Sequence, residues 1–309
     1  MTNRPLHGVV PALVTPFKDN ERIDYGAWQA MIDLLIAAGV HGLFVAGSQG
    51  EFYALDMEER ATAMRFCKQA IAGRVPMYAN VGCITTRDTV ALALHAQALD
   101  VDAVVVVTPY YVMPSQQELV DHYVEVCRAV RLPVMAYNFP PHGGVEIGAL
   151  AIAQIAAQCK NLIGLKDSSG RLEQAIAYKE AVPYRDFRVF TGGDHLFLPA
   201  LQAGCAGSVT ASANLAPRLF VELYEAFRAG NQTEAERLQG LASELGSVIM
   251  AHTFPAVIKE ALTMIGVPMG PCRKPVGPMP AEARAKVAAV VERLGAAGLL
   301  PGALHSARA

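Results

Sequence analysis

Ala103-Val104-Val105-Val106-Val107, closed by Thr108-Pro109, decides how the rest of this 309-residue chain is read. Five apolar, mostly β-branched residues ended by a turn signal read as a short strand. A half-exposed strand alternates apolar and polar residues, whereas a continuous apolar run is what parallel strands covered on both faces require. Runs of this kind recur at 9–17, 42–47, 75–82, 103–109, 133–139, 162–168, 188–193 and 207–212. Amphipathic stretches of helical period lie between them, near 24–38, 56–72, 86–99, 115–130, 147–158, 171–181, 195–203 and 217–229. Asp56 with Glu59 and Ser115 with Glu118 fit the capping box that starts a helix.

Eight strands in alternation with eight helices predict an α/β fold of the (β/α)8 TIM-barrel type. An open doubly wound sheet would normally carry a G-x-G-x-x-G turn after an early strand, and the sequence has none. The strand signal stops near residue 230. Helical patterns at 234–249 and 257–265 follow, then a proline-rich stretch at 268–280 and a last helix. The expected organisation is a barrel with the active site over 1–230 and a small C-terminal helical extension over 231–309.

Composition narrows the function. With 52% hydrophobic and 17% charged residues the chain has material for a large core and not for disorder. A net charge of −2 without a lysine and arginine cluster gives no electrostatic footprint for nucleic acid or an anionic membrane. Small molecules and further copies of the chain are the expected partners. Cys67, Cys83, Cys127, Cys159, Cys205 and Cys272 are scattered, form no C-x-x-C pair, and read as buried hydrophobes in a reducing compartment. The longest stretch free of Asp, Glu, Lys and Arg, 195–217, is broken by glycine, serine, asparagine and proline, so it does not read as a membrane span. The N-terminus shows no apolar signal region, and the cytoplasm is the default location.

The chemistry is carried by strand ends, where active sites of this fold gather. Lys166 closes the apolar run Leu162-Ile163-Gly164-Leu165 and precedes Asp167-Ser168-Ser169-Gly170. A lysine at the carboxyl end of a buried strand is partly desolvated, which pulls its pKa down from about 10.4. The neutral amine attacks a ketone to give a Schiff base. The plainer reading is a lysine whose methylenes cover apolar surface while its ammonium stays in water. The other ends read Gly47-Ser48-Gln49-Gly50-Glu51, Thr108-Pro109-Tyr110-Tyr111 and Tyr137-Asn138-Phe139-Pro140. The first offers backbone N–H groups and side-chain donors for the carboxylate of a 2-oxo acid; in isolation it is an ordinary glycine turn. Tyr137 supplies a phenol able to move protons near an imine; in isolation it is a packing residue. An imine is its own electron sink, so no metal or other cofactor is expected, and no histidine and carboxylate spacing for a metal is present.

Taken in order, G-S-x-G-E, T-P-Y-Y, Y-N-x-P and G-L-K-D-S-S make the chain resemble the dihydrodipicolinate synthase and N-acetylneuraminate lyase family, the pyruvate-dependent class I aldolases, over essentially its whole length. The resemblance implies that Lys166 forms the Schiff base with pyruvate and that Tyr137 shuttles the proton. It further implies that Ser48 links Tyr137 to a second tyrosine from a neighbouring subunit, matched here by Tyr111, in a homotetramer built from tight dimers. Dihydrodipicolinate synthases carry an arginine two residues after Y-N-x-P and usually a second threonine in the glycine loop. Here these positions hold His142 and Gln49, and histidine lacks arginine's permanently charged fork. Gly42-Leu43-Phe44, Tyr137-Asn138-Phe139-Pro140, Asp194-His195-Leu196-Phe197 and Val257-Ile258-Lys259-Glu260-Ala261 resemble bacterial 2-keto-3-deoxy-sugar-acid aldolases.

The expectation is a lyase that cleaves a 2-keto-3-deoxy sugar acid to pyruvate and an aldehyde. Ser48, Gln49, His142, Gly192, Asp194 and Val209 are the expected substrate-binding residues, and His142, Asp194 and Ser212 the groups nearby that recognise hydroxyls. A dihydrodipicolinate synthase, a dehydratase of the same family and a non-catalytic 2-oxo-acid-binding relative are the alternatives.

Overall fold

The computed structural model describes residues 6–301. Among them, β1 (Gly8–Pro11), β2 (Leu43–Val45), β3 (Met77–Asn80), β4 (Ala103–Val107), β5 (Val134–Asn138), β6 (Leu162–Asp167), β7 (Arg188–Thr191) and β8 (Gly207–Thr210) form one parallel sheet. The strand order is β1-β8-β7-β6-β5-β4-β3-β2. The two free edges meet where Leu13 N–H donates to Phe44 O at 2.9 Å beside a bridge between Ala12 and Phe44. That contact closes the sheet into the expected barrel, and closure removes the unpaired edges.

Helices α1 (Tyr25–Ala37), α2 (Met57–Ile71), α3 (Thr86–Ala98), α4 (Gln116–Ala129), α5 (Pro140–Gly143), α6 (Ala149–Gln158), α7 (Leu172–Glu180), α8 (Phe197–Gln202) and α9 (Pro217–Arg228) connect or follow the strands. Both expected capping boxes, on Asp56 and on Ser115, are formed. Every strand is shorter than its apolar run. The excess belongs to the loops on either side of the strands, mostly after them, and α5 is an additional turn of helix at the end of β5, between the expected strand and the next expected helix.

Alternation along β4 shows why an unbroken apolar run was needed. Ala103, Val105 and Val107 fill the barrel interior with Phe44, Tyr78, Met135, Tyr137, Phe190 and Val209. Val104 and Val106 join the larger layer between strands and helices. Both faces are dry.

Beyond α9 lie α10 (Gln232–Ile249), α11 (Ala256–Met264) and α12 (Ala281–Ala296). α10 is fastened to the barrel's carboxyl end: Gln239 donates to Asp194 O at 2.9 Å and accepts from Leu198 N–H at 2.7 Å. The helical tail therefore reaches the strand ends as well as packing on the barrel. Among the described residues no helix is long and apolar enough to cross a membrane.

Candidate active site

Lys166 reaches the barrel interior because β6 is irregular. Leu162 faces the helical layer and Ile163 packs against the interior cluster, so strict alternation would return Lys166 to the outer face. The register slips between Val134 and Met135, whose partners are Leu162 and Gly164. One extra residue in β6 inverts the phase of everything after it. Leu165 then packs outward and Lys166 turns inward. Gly164 is required there, since a Cβ would lie 2.2 Å from Arg188 O.

The Lys166 side chain is 5% exposed. Its Nζ lies 4.1 Å from the centroid of the Tyr137 ring and 4.9 Å from that of Phe44. Tyr137 is also its partner in the register between β5 and β6. The neighbouring carboxylate is occupied elsewhere: Asp167 accepts from Asn138 Nδ2 at 2.8 Å and from Ser169 Oγ at 2.7 Å. Burial raises the Asp167 pKa and those donors oppose the rise.

Tyr137 Oη stands 3.5 Å from Ser48 Oγ. Ser48 belongs to a tight loop in which Gly50 N–H donates to Gly47 O at 3.0 Å and Glu51 N–H to Ser48 O at 3.1 Å. Thr15 Oγ1 ties the loop to the barrel by donating to Gly50 O at 2.7 Å. The amides of Ser48 and Gln49 donate to no protein acceptor among the described residues. Both residues line the same cavity as Lys166 and Tyr137. Two free N–H groups and a hydroxyl beside a buried amine suit an anionic ligand with a ketone.

The cavity has a volume of about 450 Å³. Gly192, Asp194, Val209 and His142 also line it, so the structure brings every expected substrate-binding residue to the space that holds Lys166. At Gly192 a Cβ would stand 2.0 Å from Ser168 Oγ. His142 sits on α5, its ring 4.5 Å from Phe139 and 4.7 Å from Phe254, and burial holds its pKa below the ordinary histidine value. Asp194 is buried, accepts from Ser212 Oγ at 2.5 Å and from Thr210 Oγ1, and has a pKa raised by burial against the pull of those hydroxyls.

Ser212 corrects the sequence reading. It is fully buried, does not line the cavity, and its hydroxyl donates to Asp194. It positions a carboxylate rather than meeting a substrate. Tyr111 lies outside its own chain's cavity, 91% exposed, on a backbone with φ +74°.

Sequence reasoning missed a whole wall. Ser243, Gly246, Ser247, Ile249 and Met250 of α10 and its C-terminal turn, together with Phe254, line the cavity opposite the barrel, joined by Ser168, Ser169 and His195. Gly246 allows the close approach, because a Cβ there would lie 2.9 Å from Asp194 Cβ. The signal was present as three small residues, Ser243, Gly246 and Ser247, at the i, i+3, i+4 spacing of one helix face. Among the described residues, Lys166 is the sole lysine or arginine that lines the cavity.

Comparison with known proteins agrees with this geometry. A family model described as the dihydrodipicolinate synthetase family matches residues 5–294. A 4-hydroxy-tetrahydrodipicolinate synthase of Acidiphilium cryptum is 34% identical, over 94% of this chain and 98% of that one. An uncharacterized DapA-like lyase of Halobacterium salinarum is 37% identical, over 94% of each. Among solved structures, YagE of E. coli K12, a prophage protein of the dihydrodipicolinic acid synthase family crystallised with pyruvate, superposes with a TM-score of 0.90 at 32% identity, over 94% of this chain and 99% of YagE.

Proposed function

Since the chain belongs to the dihydrodipicolinate synthetase family, whose members are carbon–carbon lyases working through a Schiff base, we propose that it cleaves a 2-keto-3-deoxy sugar acid to pyruvate and an aldehyde, with Lys166 as the imine-forming residue. The Lys166 amine adds to the C2 ketone, water leaves the carbinolamine, and a protonated imine results. The C3–C4 bond then breaks with its electron pair drawn toward the imine nitrogen, while the C4 hydroxyl gives up its proton and departs as an aldehyde. The enamine is protonated at C3, and hydrolysis returns pyruvate and free lysine. Tyr137 is the group that passes these protons, through Ser48 to the Tyr111 of a neighbouring copy in a tetramer of paired dimers. The amides of Ser48 and Gln49 hold the substrate's carboxylate.

One observation carries the choice of substrate. Among the described residues Lys166 is the sole lysine or arginine lining the cavity, and burial disfavours a charge on His142. A second substrate carboxylate would be desolvated with no charged partner, which costs several kcal/mol. The hydroxyls of a sugar acid need only neutral partners, and Ser168, Ser243, Ser247 and His195 offer them. The curated relatives named 4-hydroxy-tetrahydrodipicolinate synthase favour a second reading, condensation of pyruvate with aspartate semialdehyde.

The test is a screen of 2-keto-3-deoxy acids, and of aspartate semialdehyde with pyruvate, read by mass spectrometry. Retro-aldol release of pyruvate should exceed semialdehyde condensation in kcat/KM by about 10²-fold or more, the scale of a lost charged hydrogen bond. Comparable values would return the protein to semialdehyde condensation.

A further inference from the structure

Glu51 ends the glycine loop that carries Ser48 and Gln49, in a left-handed conformation with φ +55° and its side chain fully buried. Nothing in the imine chemistry uses this carboxylate. It is gripped instead by the C-terminal segment, more than two hundred residues away in sequence. Lys259 of α11, 2% exposed, places Nζ 2.6 Å from Glu51 Oε1. The backbone N–H of Arg273 donates to Glu51 Oε2 at 2.9 Å.

Both gripping residues are themselves held. Lys259 Nζ lies 4.4 Å from the centre of the Phe17 ring and donates to Pro271 O at 3.0 Å. Arg273 reaches the start of α2, pairing with Glu59 and donating to Ala54 O at 2.7 Å. A buried ion pair is a poor way to gain stability, because desolvation offsets its attraction, but it fixes geometry where a single register is needed. Here the geometry fixed is that of the loop whose Ser48 and Gln49 amides have no protein acceptor among the described residues.

We propose that Lys259 is a positioning residue for the 2-oxo-acid subsite: by clamping Glu51 it aims the Ser48 and Gln49 donors into the cavity, so that binding of the substrate carboxylate depends on a C-terminal side chain that does not line the site. The inference rests on the functional reading above and assigns a role in it to the C-terminal segment. Lys259 acts on affinity for the 2-oxo acid more than on imine formation once that acid is bound.

The test uses the full-length protein and pyruvate. Imine formation is trapped with borohydride across a pyruvate titration, in parallel with thermal melting. Lys259→Met alone leaves Glu51 buried without its cation and is expected to lower Tm. The double variant Glu51→Gln with Lys259→Met removes both charges and recovers Tm. In the double variant the pyruvate concentration for half-maximal trapping should rise by about 10-fold, the scale of one lost hydrogen-bonding contact, while labelling of Lys166 at saturating pyruvate stays complete. Lys259→Arg, which keeps the cation, should fall between wild type and the double variant. A half-saturation within about 3-fold of wild type in the double variant, or, should that variant not fold, in Lys259→Arg and Lys259→Met alike, makes the pair structural only and overturns the inference. Failure of the wild type to be labelled at any pyruvate concentration is a different result, and it strikes the Schiff-base reading instead.

Discussion

Tyr137 and Lys166 are register partners on adjacent strands, and the lysine's Nζ lies 4.1 Å from the centre of the tyrosine's ring. The contact has two consequences. The ring face suits the positive charge of a protonated imine formed at that nitrogen, and the contact places the phenol on the same side of the barrel as the amine it would serve. The hydroxyl at the far end of the ring is 3.5 Å from Ser48 Oγ, the contact that the proposed proton relay through the loop requires.

Removing only that hydroxyl should therefore separate packing from proton transfer. Tyr137→Phe keeps the ring against Lys166 and is expected to retain the wild-type Tm, while kcat falls on the order of 10²-fold or more, the usual contribution of a positioned acid or base. Steady-state kinetics and circular dichroism measure the two together. Turnover within a few-fold of wild type would reduce Tyr137 to a packing residue.

Tyr111 is 91% exposed and outside its own cavity, which fits a side chain delivered to another copy. Mixing inactive Tyr111→Phe with inactive Lys166→Ala chains is expected to restore activity, because some mixed sites combine an intact lysine with an intact tyrosine. Mass spectrometry confirms that subunits have exchanged. Exchange without recovered activity would confine Tyr111 to a role in its own chain.

Stability should fall in mild acid through His122. Its Nδ1 meets Thr86 Oγ1 at 2.9 Å, its Nε2 is buried without a partner among the described residues, and burial pushes its pKa down to about 4. The unfolded chain takes up a proton near the ordinary value of 6.5 while the folded chain resists until about 4. The sign is fixed by that order: no penalty exists above pH 6.5, and folding stability is lost progressively from there down to about 4. A gap of this size is worth about 3 kcal/mol. His122→Gln should flatten the decline of Tm between those pH values, and an unchanged decline would assign acid sensitivity to other groups.

The barrel was legible because parallel strands dry on both faces leave an unmistakable pattern, of which residues 103–107 are the clearest case. The four strand-end segments were legible because each breaks an apolar run with groups that a core does not need. What escaped was set by tertiary contact. The slip opposite Val134 and Met135 that turns Lys166 inward is a property of two strands pairing, and neither strand reveals it alone. Ser212 looked like a hydroxyl for substrate, yet the fold spends it on Asp194. The grip of Lys259 on Glu51 joins segments whose meeting depends on the path of the C-terminal helices. Gly246 was visible as a small residue, but only the approach of α10 to Asp194 gives it meaning.

Whether Lys166 forms the imine is decided by peptide mass spectrometry after reduction with borohydride in the presence of pyruvate. A reduced pyruvyl adduct is expected on Lys166 alone in the wild type, and none in Lys166→Ala. An unlabelled wild type, or a Lys166→Ala chain that is still labelled, would remove Lys166 from that role.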